Sequence, residues 1–483
     1  MAANSIIEQQ PLYNVIPVGQ EVIFVVSNQT AVAGQFHVKF ICEVHISNNT
    51  YPVVGTSDDL IGTFKTTPNN AGVGIFDLSN IIESYVKPDN IAANGSAFKT
   101  TTTSDDQRHP LHLIDKFSLN NNAVTYLALQ FKVEYLGATD SSGNQDDNIV
   151  RTQAGTAVNS DVFEIFNGYI KHSDSLNIGT GIDASNFGYD ITKFENTNGS
   201  TGQFLTNAPL TQYANQEDYG TFAYLTEINK TSGFENGYVD NIKIKLYNSS
   251  DAQIGSTIQV DRSSANGSYD TYVAKAEQEL IYFGCFPGNL RNWSTVFQTQ
   301  LATGNLAYYS VRAFNGSTNV GQRYIINVNC PDLKDFESIR LCWLNQWGAW
   351  DYYTFTKKSV RSLATNSTTY NQLSGTWNES KYKIDSFKGG KKAFRVNTTE
   401  MIRVNTDFVS ENENVMFEEL MNSPEVYMLD GFQTTTSTQL LNQFVTPVRV
   451  TSSSFTKKTI ANDKLMQYTF EIEKTKTLRT QAV

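Results

Sequence analysis

Charged residues make up only 18% of this 483-residue chain, which holds just 11 prolines, 6 methionines, 5 histidines and 4 cysteines. So little proline excludes a proline-rich stalk. A helical protein of this length would need more Ala, Leu, Glu and Lys. No apolar run approaches the roughly 20 residues of a membrane-spanning helix, so no membrane span is expected. Met1-Ala-Ala-Asn-Ser5 has neither the basic nor the apolar region of a secretory signal. The sequons at Asn28, Asn94, Asn198, Asn229, Asn266, Asn315, Asn366, Asn378 and Asn397 therefore read as Asn-rich loops rather than glycan sites.

Catalytic and metal signatures are missing too. The chain has no GxSxG elbow, no HExxH, no P-loop and no Rossmann glycine fingerprint. Cys42, Cys285, Cys330 and Cys342 form no CxxC pair and match no zinc spacing. Cys42 and Cys342 lie in apolar runs and read as buried thiols; nothing in the spacing asks for a disulfide. His37 and His45 occupy polar positions of an alternating strand and read as surface residues. His109-Pro-Leu-His112 places two imidazoles in one loop with Asp115 nearby, but a metal site would need further ligands. No enzyme activity, cofactor or metal is expected. The net charge of −11 argues against nucleic-acid binding, which needs Lys and Arg arrayed on phosphates. Lys388-Gly-Gly-Lys-Lys392 is the one basic cluster and reads as a solvated turn.

What is abundant is aromatic: 24 Tyr and 29 Phe, amid Asn, Ser, Thr and Gly. That mixture suits short strands joined by polar turns. The length calls for roughly two to four domains. We expect a mainly β, multi-domain chain of tandem β-sandwich domains with a few short helices, divided at 1–155, 156–335 and 336–483. Strands are expected over Glu21–Val26, Phe36–Ile46, Leu60–Lys65 and Thr125–Tyr135, with a helix over Phe76–Val86 that Ser79 or Asp77 caps. Residues 137–160 read as a linker. Further strands are expected at Val162–Phe166, Asp240–Tyr247, Tyr308–Phe314 and Gln322–Val328, with turns at Glu235-Asn-Gly237 and Ala265-Asn-Gly267. Near the C-terminus, Ser410-Glu-Asn-Glu413 has the spacing of a capping box. It opens a helix with Phe417, Leu420 and Met421 on one face, stopped by Ser423-Pro424. Strands follow at Val426–Leu429, Phe444–Val450 and Leu465–Glu473.

The densest aromatic stretch is Arg340–Phe355. It holds three of the five tryptophans, Trp343, Trp347 and Trp350, followed by Tyr352, Tyr353 and Phe355. Such rings bury much apolar area. Exposed, they would form a sugar platform; hidden, a core seam or subunit interface, which is the favoured reading. Asp351 is the one acid whose surroundings could make it a proton donor, as in glycoside hydrolysis. No partner acid is identifiable, so it reads as a charge at the solvent end of a strand.

Four blocks resemble structural proteins of tailed bacteriophages that infect Bacteroidota, including crAss-like phages. They are Thr67–Ser79 with its helix; Phe204–Pro209 with Asp218-Tyr219; the aromatic stretch after Ser338; and Val404–Asp407, Ser423–Tyr427 and Asn462–Leu465 with Tyr468–Glu471. Together they touch all three sections. The resemblance implies a virion component of the tail, neck ring or baseplate, assembled in the host cytoplasm. Its partners would be other virion proteins and copies of itself in a ring. Two alternatives are a host-surface glycan-binding module and a tail-associated depolymerase.

Overall fold

The computed structural model describes residues 5–47, 51–87, 124–139, 145–152, 157–171, 176–178, 187–189, 192–194, 202–225, 239, 241–261, 280–329, 336–376, 378–430, 445–458 and 466–479. The chain is mostly β, multi-domain, and built of sandwich-like sheets with a few short helices. It divides into two compact units. The first holds the described residues of Met1–Asn329 together with Leu344–Asp351. The second holds those of Cys330–Trp343, Tyr352–Gly431 and Gln439–Val483. Sections 1–155 and 156–335 thus share one unit as far as Asn329.

In the first unit, Phe36–Ser47 and Val124–Thr139 pair antiparallel, with Phe40 opposite Val133 and Ser47 opposite Tyr126. Around them the sheet runs in the order Val15–Pro17, Phe163–Phe166, Val124–Thr139, Phe36–Ser47, Leu60–Thr66. A second sheet, ordered Ile6–Gln9, Ile23–Ser27, Val73–Asp77, supplies the other half of the core. Phe24 lies 6.0 Å from Phe131 and 5.7 Å from Phe163, ring centre to ring centre. A Cβ on Gly74 would come within 2.7 Å of the Phe40 ring, so glycine here permits close packing. Farther along, Thr211–Asn215, Tyr324–Asn329, Tyr308–Asn315, Asn241–Tyr247 and Gln253–Asp261 form another sheet. Phe204 stacks on Phe222 at 5.1 Å and on Tyr324 at 4.8 Å, anchoring the Phe204–Pro209 block.

The second unit is organised by one sheet, whose strands within the unit run in the order 352–355, 339–343, Val426–Leu429, Val445–Val450, Thr469–Lys474, Gly390–Asn405, Val360–Gln372. The Ser410/Glu413 capping box forms as the spacing predicts, over a short 3-10 turn that leads into the helix Asn414–Asn422. Phe417 and Leu420 of that helix are buried. The Phe417 ring lies 5.5 Å from Phe470 and 5.0 Å from Tyr353.

Several expectations change. His45 is fully buried, because it lies in a central strand between the buried Val44 and Ile46, where both faces are covered; His37, at the strand's start, is exposed. Residues 137–160 are not a plain linker: Val124–Thr139 continues through its start and pairs with Gln145–Thr152 and Val158–Asn159. Phe76 and Asp77 end a strand, and the helix begins at Ser79, whose N–H donates to Asp77 Oδ1 at 3.0 Å. Cys42, Cys285 and Cys342 are buried and form no disulfide with one another. Outside the described residues lie Cys330, His109, His112, Asp115, His172, the turns at Glu235–Gly237 and Ala265–Gly267, and Asn462–Leu465.

Candidate functional site

The aromatic stretch comprises the strands Ile339–Leu344 and Trp350–Phe355 and the turn that joins them. Trp347, Trp350 and Asp351 belong to the first unit; Trp343, Tyr352, Tyr353 and Phe355 belong to the second. Trp343, Trp347 and Trp350 are 0%, 1% and 2% exposed. Tyr352 and Phe355 are also buried, and Tyr353 nearly so.

Asn345 organises the hairpin turn within the first unit. Its Oδ1 accepts from the Trp347 and Ala349 N–H groups at 3.0 Å, and its Nδ2 donates to the Leu205 carbonyl at 2.9 Å. Such self-satisfied Asn turns need glycine where the backbone goes left-handed, and Gly348 has φ +72°. Tyr282 Oη donates to the Gly348 carbonyl at 2.8 Å, and the Tyr169 N–H donates to the Gln346 carbonyl at 2.6 Å. The Trp347 ring meets Phe194 edge-on at 4.3 Å, and Lys193 Nζ sits 4.4 Å from its centre.

Asp351 is 2% exposed, not at a solvent end. Thr206 Oγ1 donates to its Oδ1, and its negative charge adds to the burial that pushes the Tyr324 phenol up. A carboxylate so covered does not meet a polysaccharide chain, and covered rings offer no sugar platform. In the second unit, Arg340 Nη1 donates to Thr354 Oγ1 at 2.8 Å, and its guanidinium lies 5.0 Å from the Tyr352 ring centre. Phe355 packs on Phe470 at 6.0 Å. Five of the six rings singled out from sequence are buried, and the half-buried Tyr353 packs on Phe355 at 4.8 Å.

The surface that sequence reasoning missed is an arm. Val360–Gln372 and Gly390–Asn405 pair antiparallel from Val360/Arg403 out to Gln372/Gly390. Val360–Gln372, 13 residues or about 43 Å long, has no buried residue and forms the sheet edge. On the other side of Gly390–Asn405, Thr469–Lys474 covers Met401–Asn405, and Leu478–Arg479 covers Asn397 and Thr398. From Val396 to the turn, the ribbon is two strands wide among the described residues. Along the even-numbered side chains, the buried Val404 and Ile402 give way to the ion-paired Glu400, then Thr398 and the exposed Val396, so this face passes from core to surface. Leu363, Phe394 and Val396 are exposed on the ribbon. Leu373, Tyr382, Ile384 (76%) and Phe387 (74%) are exposed at its end.

The base of the arm is tied by charge. Arg361 pairs with both Glu337 and Glu400, and Lys474 Nζ lies 3.0 Å from Glu400 Oε2. The Arg361 hydrogen bond holds the Glu337 carboxyl below its ordinary range. Burial works against ionisation of Glu400, but Lys474 and Arg361 outweigh it and its carboxyl is also lowered. Among the described residues, no group of His, Cys, Asp and Glu side chains has the makings of a metal site, and no helix is long and apolar enough to cross a membrane.

No family model matches the sequence and no curated protein is similar to it. Among solved structures, the native E. coli alpha-2-macroglobulin is similar at 8% identity and TM-score 0.17, over 83% of this chain and 22% of that one. A three-Ig fragment of titin matches at 8% identity and TM-score 0.13, over 84% of this chain and 94% of that one. Salmonella alpha-2-macroglobulin reacted with methylamine matches at 8% identity and TM-score 0.17, over 96% and 23%. This chain thus spans under a quarter of either macroglobulin. At such TM-scores none of these likenesses bears on fold or function.

Proposed function

We propose that the chain is a structural component of a bacteriophage virion, in its tail, neck ring or baseplate, that works by subunit–subunit contact rather than catalysis. The arm carries this reading. A two-stranded ribbon is marginal by itself in water, and a long edge strand without covering is a template for another chain. Val360–Gln372 has a single charged residue, Arg361, and no proline to blunt that edge. A surface of this kind is kept when something covers it in an assembly. The burial of Trp343, Trp347 and Trp350 supports the same reading, because a glycan-binding module would present open ring faces. The sequence resemblance in four blocks supplies the virion context; other virion proteins and further copies of the chain are the partners.

The test is localisation. Purified virions are analysed by quantitative mass spectrometry and labelled with antibody to the chain. A fixed copy number per particle and label at one station, tail, neck or baseplate, is the expected result. A chain found only in the soluble fraction of infected cells overturns the reading.

A further inference from the structure

The end of the arm has a charge unlike the rest of the molecule. Residues 373–395 carry Lys381, Lys383, Lys388, Lys391, Lys392 and Arg395 against Glu379 and Asp385. The chain as a whole is at −11, so everything outside this segment is more acidic still. Lys381, Lys383, Lys391, Lys392 and Arg395 are exposed, and Lys388 is the one cation of this segment held to an acid among the described residues, Asp385 at 2.8 Å. Between these cations stand the exposed Tyr382, Ile384 and Phe387.

Single exposed apolar residues are ordinary, but seven beyond the Val360 root of one arm are not. The side chains of Leu363, Leu373, Tyr382, Ile384, Phe387, Phe394 and Val396 together expose on the order of 800 Å², about one side of a standard protein–protein interface. The turn is set in shape by Gly389 and Gly390 at φ +96° and +79°, and by the Asp385 N–H donating to the Ser374 carbonyl at 2.8 Å. A preformed, basic and apolar projection suits an acidic protein surface, where charge speeds encounter and apolar burial holds.

We propose that the arm is an intersubunit tether whose basic, apolar end docks on the acidic surface of a second copy of this chain. The contact is heterologous: one copy gives its arm and the next receives it, so the same step repeated closes a ring or extends a stack. The inference rests on the assembly reading above and names the element that performs it.

Sedimentation velocity of the full chain over a concentration series, at low and high salt, tests it. Four proteins are compared: the natural chain; K391E/K392E; I384S/F387S; and a chain in which residues 367–396 are replaced by Asn-Gly between the paired Asn366 and Asn397. The natural chain self-associates, more weakly in high salt. Each variant raises the dissociation constant at least tenfold while its thermal midpoint stays put, because the altered residues are exposed. A natural chain that is monomeric throughout, variants that associate equally well, or association indifferent to salt overturns the tether. So does binding of the natural chain to phosphatidylserine vesicles through the arm without self-association. A chain present in virions but monomeric alone overturns the tether only. A self-associating chain absent from virions overturns the virion role only.

Discussion

A Cβ on Gly348 would lie 2.0 Å from the carbonyl oxygen of Asn167. The turn around Asn345 is thus set against the backbone of a segment nearly two hundred residues earlier, with no room for a side chain. Gly348 also sits at φ +72°, where an L-residue pays about 1–2 kcal/mol before any clash. Gly348→Ala therefore destabilises the first unit by about 2–4 kcal/mol. Urea unfolding followed by tryptophan fluorescence reads this as a lower midpoint at unchanged slope. A midpoint equal to that of the natural chain would show that the turn is not packed as described.

The three described thiols report on the cores. Cys42 and Cys342 are 0% exposed, and burial pushes both thiols far up. Only thiolate reacts, so both are protected twice, by pKa and by access. In native protein, iodoacetamide labels them on the order of a hundredfold more slowly than in urea, at the rate of local opening. Peptide mass spectrometry after a labelling pulse measures each site, with Cys342 reporting on the second unit and Cys42 on the first. Fast native labelling at either would contradict its burial.

His45 gives the first unit a mild acid sensitivity. Burial lowers its pKa; Glu43 and Asp59 oppose the shift and Lys132 adds to it. The folded chain therefore refuses a proton that the unfolded chain accepts as pH falls below the ordinary value of 6.5. More protons on the unfolded state mean that stability falls with pH in that window. His45→Leu removes this slope below pH 6.5 and leaves the steeper carboxylate limb. Thermal midpoints of both proteins across the window check it, and parallel curves would refute the assignment.

What could be read from the sequence follows from how many faces of a strand are buried. Asn241–Tyr247 was legible because it carries the hydrophobic contrast of a half-buried strand, and Val426–Leu429 because it is a short apolar run just after Ser423-Pro424. His45 misled because the strand is covered on both faces around Val44–Ile46, so a polar residue there no longer marks the outside. The arm failed for the opposite reason. Ser362, Thr365, Asn366, Ser367, Thr368 and Thr369 bury neither face and show no hydrophobic period at all. Only Lys388-Gly-Gly-Lys-Lys392 hinted at it: read as a solvated turn, it is the place where the turn ends and the strand Gly390–Asn405 begins. The surroundings of Asp351 were not legible either, since its hydroxyl partner Thr206 is 145 residues away.

The arm's base should loosen in acid before its sheet does. Arg361 bridges Glu337 and Glu400, and Lys474 holds Glu400 from the other side. Both carboxyls sit below their ordinary value of 4.5 in the folded chain. A depressed carboxyl stabilises fully above the unfolded value and loses that contribution as pH falls through the folded one. The ties are therefore intact near neutrality and are lost below about pH 4.5. Arg361 and Glu337 are partly exposed, so solvent screening keeps the network modest. Arg361→Met costs about 1 kcal/mol or less near neutrality and makes the acid limb of stability shallower. Amide exchange checks the local effect: protection at Ser362–Thr365 and their partners Thr398–Met401 falls in acid and in the variant, while protection at Val426–Leu429 holds. Equal loss at both places would mean that the pairs hold the whole sheet rather than the root of the arm.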